Sequence, residues 1–87
     1  MKPKVIDLFA GVGGLSLGFR QAGFEVVFAN EYDPSIAKSY IFNHPNTEML
    51  IADITTVDFN ETFSRFSGKV DVIVGGPPCQ GFSQRGQ

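Results

Sequence analysis

Short apolar runs alternate with helix-like patterns along this chain of 87 residues, and that alternation strongly constrains its fold. Strands separated by helices normally pair in parallel, through right-handed crossovers. We therefore predict an α/β fold with strand order 3-2-1-4, the first part of a doubly wound sheet. The predicted strands span residues 4–9, 24–29, 47–51 and 70–74, and the predicted helices span 15–22, 34–42 and 58–66.

The helical patterns also predict which side chains face the core. In the first helix, Leu15, Phe19 and Ala22 recur at the spacing of one helix face. Asp33 is expected to cap the second helix, with a proline at its first position. His44, the only histidine, lies in the polar turn after that helix and is expected at the surface. The predicted apolar face of the second helix comprises Ile36, Ala37, Tyr40 and Ile41.

Composition narrows the class of protein. Hydrophobic residues make up 43% of the chain, which is enough for one small core and too much for a disordered tail. A single cysteine excludes an internal disulfide framework and suits a reducing compartment such as the cytoplasm. We see no signal peptide, no membrane span and no metal-ligand pattern. A net charge of −2 argues against an independent nucleic-acid-binding module.

Polar and glycine residues follow the first three predicted strands. Gly11, Gly13 and Gly14 form a turn after strand 1, and Glu31 follows strand 2, 20 residues beyond Gly11 (31 − 11). That spacing is typical of an acid that binds ribose hydroxyls in nucleotide-binding sheets. Taken singly, these residues also fit a tight turn and a solvated carboxylate. Tyr32 could cover an adenine ring or be an ordinary loop aromatic.

A nucleoside ligand without a phosphate cradle is the best match to this pattern. Asp53 follows strand 3 and could bind an adenine amino group, although an Asx turn or a helix cap is the simpler role for this residue taken alone. No basic residue lies between Asp7 and Arg20, and Ser16 stands where a dinucleotide fingerprint needs a small third glycine or alanine. S-adenosylmethionine carries a sulfonium cation and needs no basic cradle, so it is the expected cofactor.

The only cysteine follows the fourth predicted strand. Cys79 lies in the segment 75–83, after Pro77 and Pro78, whose φ angles are fixed by their rings. Reactive groups in open α/β sheets lie just beyond the carboxyl ends of strands. A free cysteine is more often a small buried hydrophobe, but this position favours a nucleophile.

Four segments closely resemble the amino-terminal motifs of DNA cytosine-5 methyltransferases: 7–19, 30–33, 53–54 and 75–83. The resemblance covers nearly the whole chain and implies a Rossmann-like, S-adenosylmethionine-dependent methyltransferase fold. It also implies that Cys79 is the nucleophile and that Pro78 contacts the flipped cytosine beside the cofactor. The cofactor site would be lined by Phe9, Gly11, Gly13 and Gly14, with Glu31 on the ribose, Tyr32 on the adenine face, and Asp53 and Ile54 on the adenine edge.

The resemblance further implies methyl transfer to carbon 5 of cytosine in double-stranded DNA, in a bacterial restriction-modification system. Residues 1–87 match the amino-terminal part of the catalytic domain. The family's proton-donating glutamate and its target-recognition region lie further along, so this segment alone is expected to be inactive. An exposed edge at strand 4 should pair with the remaining half of the enzyme or with another copy. Alternatives are a tRNA cytosine-5 methyltransferase, a non-catalytic cofactor-binding subunit and, more distantly, a dinucleotide-dependent oxidoreductase.

Overall fold

Four parallel strands form the framework of the chain. A computed structural model describes residues 2–75. The sheet has the order β3-β2-β1-β4, and all three neighbouring pairs are parallel, as predicted. The elements are β1 (Lys4–Leu8), α1 (Gly14–Gln21), β2 (Glu25–Glu31), α2 (Pro34–Asn43), β3 (Glu48–Ile51), α3 (Phe59–Phe63) and β4 (Val72–Gly75), with 3-10 turns at Ile54–Thr56 and Ser64–Phe66.

Local side-chain bonds account for several element boundaries. The Asp33 carboxylate accepts hydrogen bonds from the backbone N–H groups of Ser35 and Ile36, at 2.9 and 3.4 Å, so it caps α2 as predicted. The predicted third helix is shorter than expected, because its last turn becomes the 3-10 turn. β4 begins at Val72 rather than at residue 70, and Asp71 accepts a bond from the backbone N–H of Lys4 at 2.8 Å.

The core lies on both faces of the sheet. Successive residues of a strand point to opposite faces. Ala29 of β2 packs with Tyr40 and Ala10 on the face covered by α1 and α2. Its neighbour Phe28 faces the other way, and the Phe63 ring meets it edge-on with 5.3 Å between ring centroids. The sheet is therefore a middle layer between α1 and α2 on one side and α3 on the other.

The predicted apolar face of α1 is wrong in part. Leu15 is 49% exposed and Ala22 is exposed, whereas Ser16 is fully buried. The reason lies beneath the helix, where β1 presents the buried Asp7 carboxylate. The Ser16 hydroxyl donates to Asp7 and also bonds the Tyr40 hydroxyl at 2.7 Å. A buried carboxylate needs hydrogen-bond partners, so the helix turns its serine inward.

The predicted surface position of His44 is also wrong. The residue is 3% exposed rather than a surface turn residue. Its ring packs on Tyr40, with 4.5 Å between the centroids, and both ring nitrogens have hydrogen-bond partners. His44 thus extends the buried face of α2, where Ala37, Tyr40 and His44 follow one another at helical spacing.

Burial should make Asp7 a source of pH-dependent stability. Loss of water raises the pKa of this carboxyl above its ordinary 3.8, and the Ser16 hydrogen bond only partly opposes the rise. The folded state therefore holds the proton more tightly than the unfolded chain. The stability that Asp7 contributes is fully present below pH 3.8 and is lost as the pH rises through the folded-state pKa.

Comparison with Asp7→Asn, which cannot ionise, isolates this effect. Between about pH 4 and about pH 7, the free energy of unfolding of the wild type should fall relative to that of the variant. Urea denaturation at several pH values measures both. Glu61→Gln, which removes an exposed carboxylate, is the matched control and should not reproduce the trend. A wild type that gains stability relative to Asp7→Asn as pH rises would contradict the raised pKa.

Candidate functional site

The carboxyl ends of β1, β2 and β3 bring most of the predicted site residues to one edge of the sheet. β2 pairs with β3 through Glu31 and Ile51, at the last residue of each strand. On its other side, β2 pairs with β1, which leads directly into the glycine turn. The three segments that the sequence analysis singled out after these strands are therefore neighbours in space.

The turn after β1 has an unusual backbone. Phe9 has a φ of 57°, a left-handed conformation that is rare for a bulky residue. Such a conformation costs on the order of 1–3 kcal/mol and persists where the surroundings hold it, often at functional sites. Here the next residue, Ala10, donates its N–H to the Asn30 carbonyl at 2.7 Å. The strained turn is thereby fixed to the end of β2.

Phe9 also approaches the end of β4. A Cβ added to Gly75, the last residue of β4, would lie 3.6 Å from Cδ2 of the Phe9 ring. The chain continues from Gly75 to Pro78 and Cys79, which lie outside the described residues. The geometry therefore places a predicted cofactor residue beside the strand that leads to the predicted nucleophile.

Glu31 joins two parts of the site. One carboxylate oxygen accepts a hydrogen bond from the backbone N–H of Gly11 at 2.8 Å, and the other accepts one from the N–H of Asp33 at 3.0 Å. The glycine turn and the start of α2 are thus held by the same side chain. A carboxylate has about four lone-pair sites, so each oxygen keeps one for a ligand.

Asn30, which precedes Glu31, was not predicted to have a role at the site. Its buried side-chain amide donates to the carbonyls of Leu50 and Ala52, at 3.1 and 2.9 Å. These bonds fix the end of β3 and the segment that leads to Asp53. The available signal in the sequence was a polar residue, Asn30, directly after the apolar stretch of β2.

The residues after β2 and β3 have distinct surroundings. Tyr32 is 69% exposed, so its ring is available to a ligand. Asp53 is exposed and caps the following 3-10 turn, and the Thr55 hydroxyl and N–H lower the pKa of its carboxyl. Its bonds to Thr55 use one carboxylate oxygen and leave the other oxygen available. Ile54 is buried, so its side chain belongs to the core.

The three glycines of the turn differ from one another. A Cβ added to Gly11 or Gly14 would meet no atom within 4 Å among residues 2–75, apart from neighbouring parts of the chain. Gly13 instead packs against His44, where a Cβ would lie 2.6 Å from ring atom Cδ2. The open space beside Gly11 and Gly14, the fixed Glu31 carboxylate and the exposed Tyr32 ring fit a nucleoside ligand.

A separate surface groove lies away from these residues. It has a volume of about 610 Å³ and lies near the opposite ends of the strands, between the carboxyl-terminal ends of α1 and α2, where Arg20, His44 and Thr47 line it. It contains none of the predicted cofactor residues. Among residues 2–75, no helix is long and apolar enough to cross a membrane, and no cluster of three acidic, histidine or cysteine side chains could bind a metal ion.

Known methyltransferases are similar to this chain in sequence. The chain is 48% identical to the type II methyltransferase M.AgeI of Thalassovita gelatinovora, over 97% of this chain and 20% of the relative. It is 46% identical to M.NgoPII of Neisseria gonorrhoeae, over 95% of this chain and 23% of the relative. It therefore spans about a fifth of the length of these relatives.

Solved structures agree with the sequence relatives. A DNA modification methyltransferase encoded within an Escherichia coli prophage is 41% identical, with a TM-score of 0.81, over 93% of this chain and 24% of that one. A DNMT2 protein of Spodoptera frugiperda is 27% identical, with a TM-score of 0.77, over 99% of this chain and 26% of that one. The predicted methyltransferase fold is confirmed.

The match to a family model is equally extensive. Residues 3–87 match the model of the C-5 cytosine-specific DNA methylases. This range includes the glycine turn, Glu31, Asp53 and the predicted nucleophile. The sequence, the parallel sheet and the site at its carboxyl edge thus agree, and the chain belongs to the C-5 cytosine-specific DNA methylase family.

Proposed function

We propose that this chain forms the cofactor-binding and nucleophile-bearing part of an enzyme that methylates carbon 5 of cytosine in DNA. The observation that carries the proposal is the Glu31 carboxylate, which Gly11 and Asp33 hold in a fixed position beside open space at the strand ends. Family membership supports the choice of reaction. Because the chain spans about a fifth of its relatives, the activity is proposed for the complete protein.

S-adenosylmethionine is the proposed cofactor, and it supplies an electrophilic methyl group on a sulfonium. The free lone pairs of Glu31 would accept hydrogen bonds from the ribose hydroxyls. The exposed Tyr32 ring would cover the adenine, and the free oxygen of Asp53 would accept a bond from its amino group. Phe9, Gly11, Gly13 and Gly14 would form the wall of the site. Ile54 would contribute through its backbone, because its side chain is buried.

Cys79 would activate the cytosine, whose carbon 5 is a poor nucleophile. The target base must first leave the DNA stack, and Pro78 would contact the flipped base. The thiolate would add to carbon 6, forming a carbon–sulfur bond and shifting the electron pair of the carbon 5–carbon 6 double bond onto carbon 5. Carbon 5 would then bond the methyl group, whose bond to the sulfonium breaks and leaves its electron pair on a neutral thioether. A base removes the proton from carbon 5, the carbon–sulfur bond breaks, and the thiolate is released. A thiolate suits both the addition and the departure.

The edge of the sheet supports a requirement for more protein. Within residues 2–75, β4 pairs with β1 alone, and Ile73 of β4 is 61% exposed. A flat apolar edge strand tends to pair with another strand. We propose that the part of the enzyme beyond this segment covers β4 and supplies both the ring-protonating acid and the surface that reads DNA.

Replacing Glu31 tests the cofactor assignment. Glu31→Ala should weaken S-adenosylmethionine binding by about 1.5–3 kcal/mol, or roughly tenfold to a hundredfold, because hydrogen bonds to a charged group are lost. Titration calorimetry on the full-length protein measures this change. Glu48→Ala removes an exposed carboxylate that pairs with Arg65 on the surface, and it should leave the affinity unchanged. Equal affinity of Glu31→Ala and the wild type, or a preference for NAD, would contradict the assignment.

Replacing the cysteine tests the mechanism. Cys79→Ser in the full-length protein should still bind S-adenosylmethionine but lose turnover by several orders of magnitude, since a hydroxyl is a far weaker nucleophile than a thiolate. DNA that carries 5-fluorocytosine should trap the wild type covalently, because fluorine cannot leave as the carbon 5 proton does. Mass spectrometry should find the adduct on the peptide that contains Cys79. An adduct on another peptide would refute the mechanism.

The isolated segment 1–87 should transfer no methyl group. It has 7 Lys and Arg against 9 Asp and Glu, whereas phosphate neutralisation supplies much of the affinity for DNA. Transfer of tritiated methyl to DNA should be seen with the full-length protein and not with the segment. Efficient transfer by the segment alone would show that it already contains the acid and the DNA-binding surface. A parallel assay with tRNA decides the substrate, and preference for tRNA would overturn the proposed DNA activity.

A further inference from the structure

His44 holds the turn that bears Gly11 and Gly14, although it lies on a different element. Its ring nitrogen Nε2 is 3.1 Å from the carbonyl oxygen of Gly13, and Nδ1 is 2.9 Å from the Arg20 guanidinium. A guanidinium only donates, so Nδ1 must be the acceptor. Nε2 therefore carries the hydrogen and donates it to Gly13. The Arg20 contact thus selects the tautomer that can hold the turn.

The carbonyl of Gly13 accepts two hydrogen bonds, one of them from His44. The other comes from the N–H of Leu17 at 2.9 Å and is the first hydrogen bond of α1. Gly13 has a φ of 103° and caps α1 without a side-chain hydrogen bond of its own. His44 does not replace such a cap, because an N-cap side chain accepts hydrogen bonds from backbone N–H groups. His44 instead donates to the Gly13 carbonyl, beside the bond that this carbonyl accepts from Leu17. One ring therefore fixes both the end of the turn and the start of the helix.

The shape of the turn agrees with this role. A Cβ on Gly13 would collide with the His44 ring, lying 2.6 Å from Cδ2. Asn43, the residue before His44, donates weakly to the carbonyl of Val12 at 3.5 Å. The end of α2 thus reaches two successive carbonyls of the turn. On the other side, the backbone N–H of Gly11 is bonded to Glu31.

We propose that His44 is a positioning residue for the cofactor: through Gly13 it sets the geometry of the turn, and it does not itself touch the ligand. The proposal rests on the proposed function, because the turn is taken to be a wall of the S-adenosylmethionine site. Glu31 and His44 hold the two ends of this wall. When the His44 bond is lost, the turn that contains Gly11 and Gly14 samples more than one backbone conformation. The ligand must then order the turn on binding, which lowers its affinity.

Three variants of the full-length protein separate positioning from general stability. His44→Phe keeps a ring against Tyr40 but removes both hydrogen bonds. His44→Gln keeps a side-chain N–H that can reach the Gly13 carbonyl. Thr47→Val is the matched control, since it removes a buried side-chain bond to a backbone carbonyl, that of Val26, and leaves His44 with both of its own hydrogen-bond partners.

The dissociation constant of S-adenosylmethionine, measured by calorimetry, should rise about threefold to tenfold in His44→Phe, the change expected for one hydrogen bond. His44→Gln should recover most of the affinity, and Thr47→Val should bind like the wild type. In the ligand-free protein, hydrogen exchange of the Gly13 and Leu17 amides should be faster in His44→Phe and unchanged in Thr47→Val. Exchange in β2 should report any global loss of stability.

Each outcome decides a separate point. Wild-type affinity and exchange in His44→Phe would overturn the positioning role, as would an equal loss of affinity in Thr47→Val. Failure of His44→Gln to recover any affinity would also overturn it, because the donor to Gly13 is the proposed cause. A wild type that does not bind S-adenosylmethionine would refute the proposed function instead. The exchange comparison would then still show whether His44 holds the turn.

Discussion

A carboxyl group buried beneath a helix is the constraint around which this sheet is arranged. Asp7 lies on β1, the strand that pairs with both β2 and β4, and it is 1% exposed. Its ionised form needs hydrogen-bond donors, and Ser16 supplies one from the first turn of α1. The Tyr40 hydroxyl joins Ser16, so α2 is placed by the same cluster. Every buried side-chain nitrogen and oxygen among the described residues has a partner, which leaves this arrangement few alternatives.

The buried cluster of Asp7, Ser16 and Tyr40 is connected to the candidate site through α1 and α2. Ser16 places α1, and the start of α1 is the end of the glycine turn. Tyr40 places α2, and the Tyr40 ring supports His44, which reaches back to that turn. Glu31 approaches the turn from β2. The polar core beneath the helices therefore controls the backbone geometry at the strand ends. A binding site is held precisely only when such supporting contacts fix the residues that touch the ligand.

Regular local signals made much of the fold predictable from sequence. The alternation of strands and helices indicated a parallel sheet, and Asp33 with its proline marked the start of α2. The inward face of α1 could not be predicted in this way. Apolar periodicity selected Leu15, whereas the buried residue is Ser16, because the partner that requires it is Asp7, which lies outside the helix on the preceding strand. The spacing of apolar residues indicates an amphipathic face, but it does not indicate a polar pair that forms only in the folded chain.

The site was partly predictable for a similar reason. Glu31 was identified from its spacing after Gly11, and the structure joins these two residues directly. His44 was assigned to the surface because its neighbours are typical of turns. Its position four residues after Tyr40 was the available signal, but a histidine on a helix face indicates burial only when its partners are known. Both partners, Arg20 and Gly13, lie on α1 or at its start.

The pairing of β1 with β4 has a consequence for synthesis on the ribosome. β1, β2 and β3 are joined by short crossovers and can assemble as they emerge. Val5 pairs with Val72, so the other edge of the central strand stays open until nearly the whole segment has been translated. Such non-local pairing is slow and exposes strand edges in the meantime. The nascent chain therefore carries a half-built sheet with two apolar edges, a state that favours rapid translation through this region or shielding by chaperones.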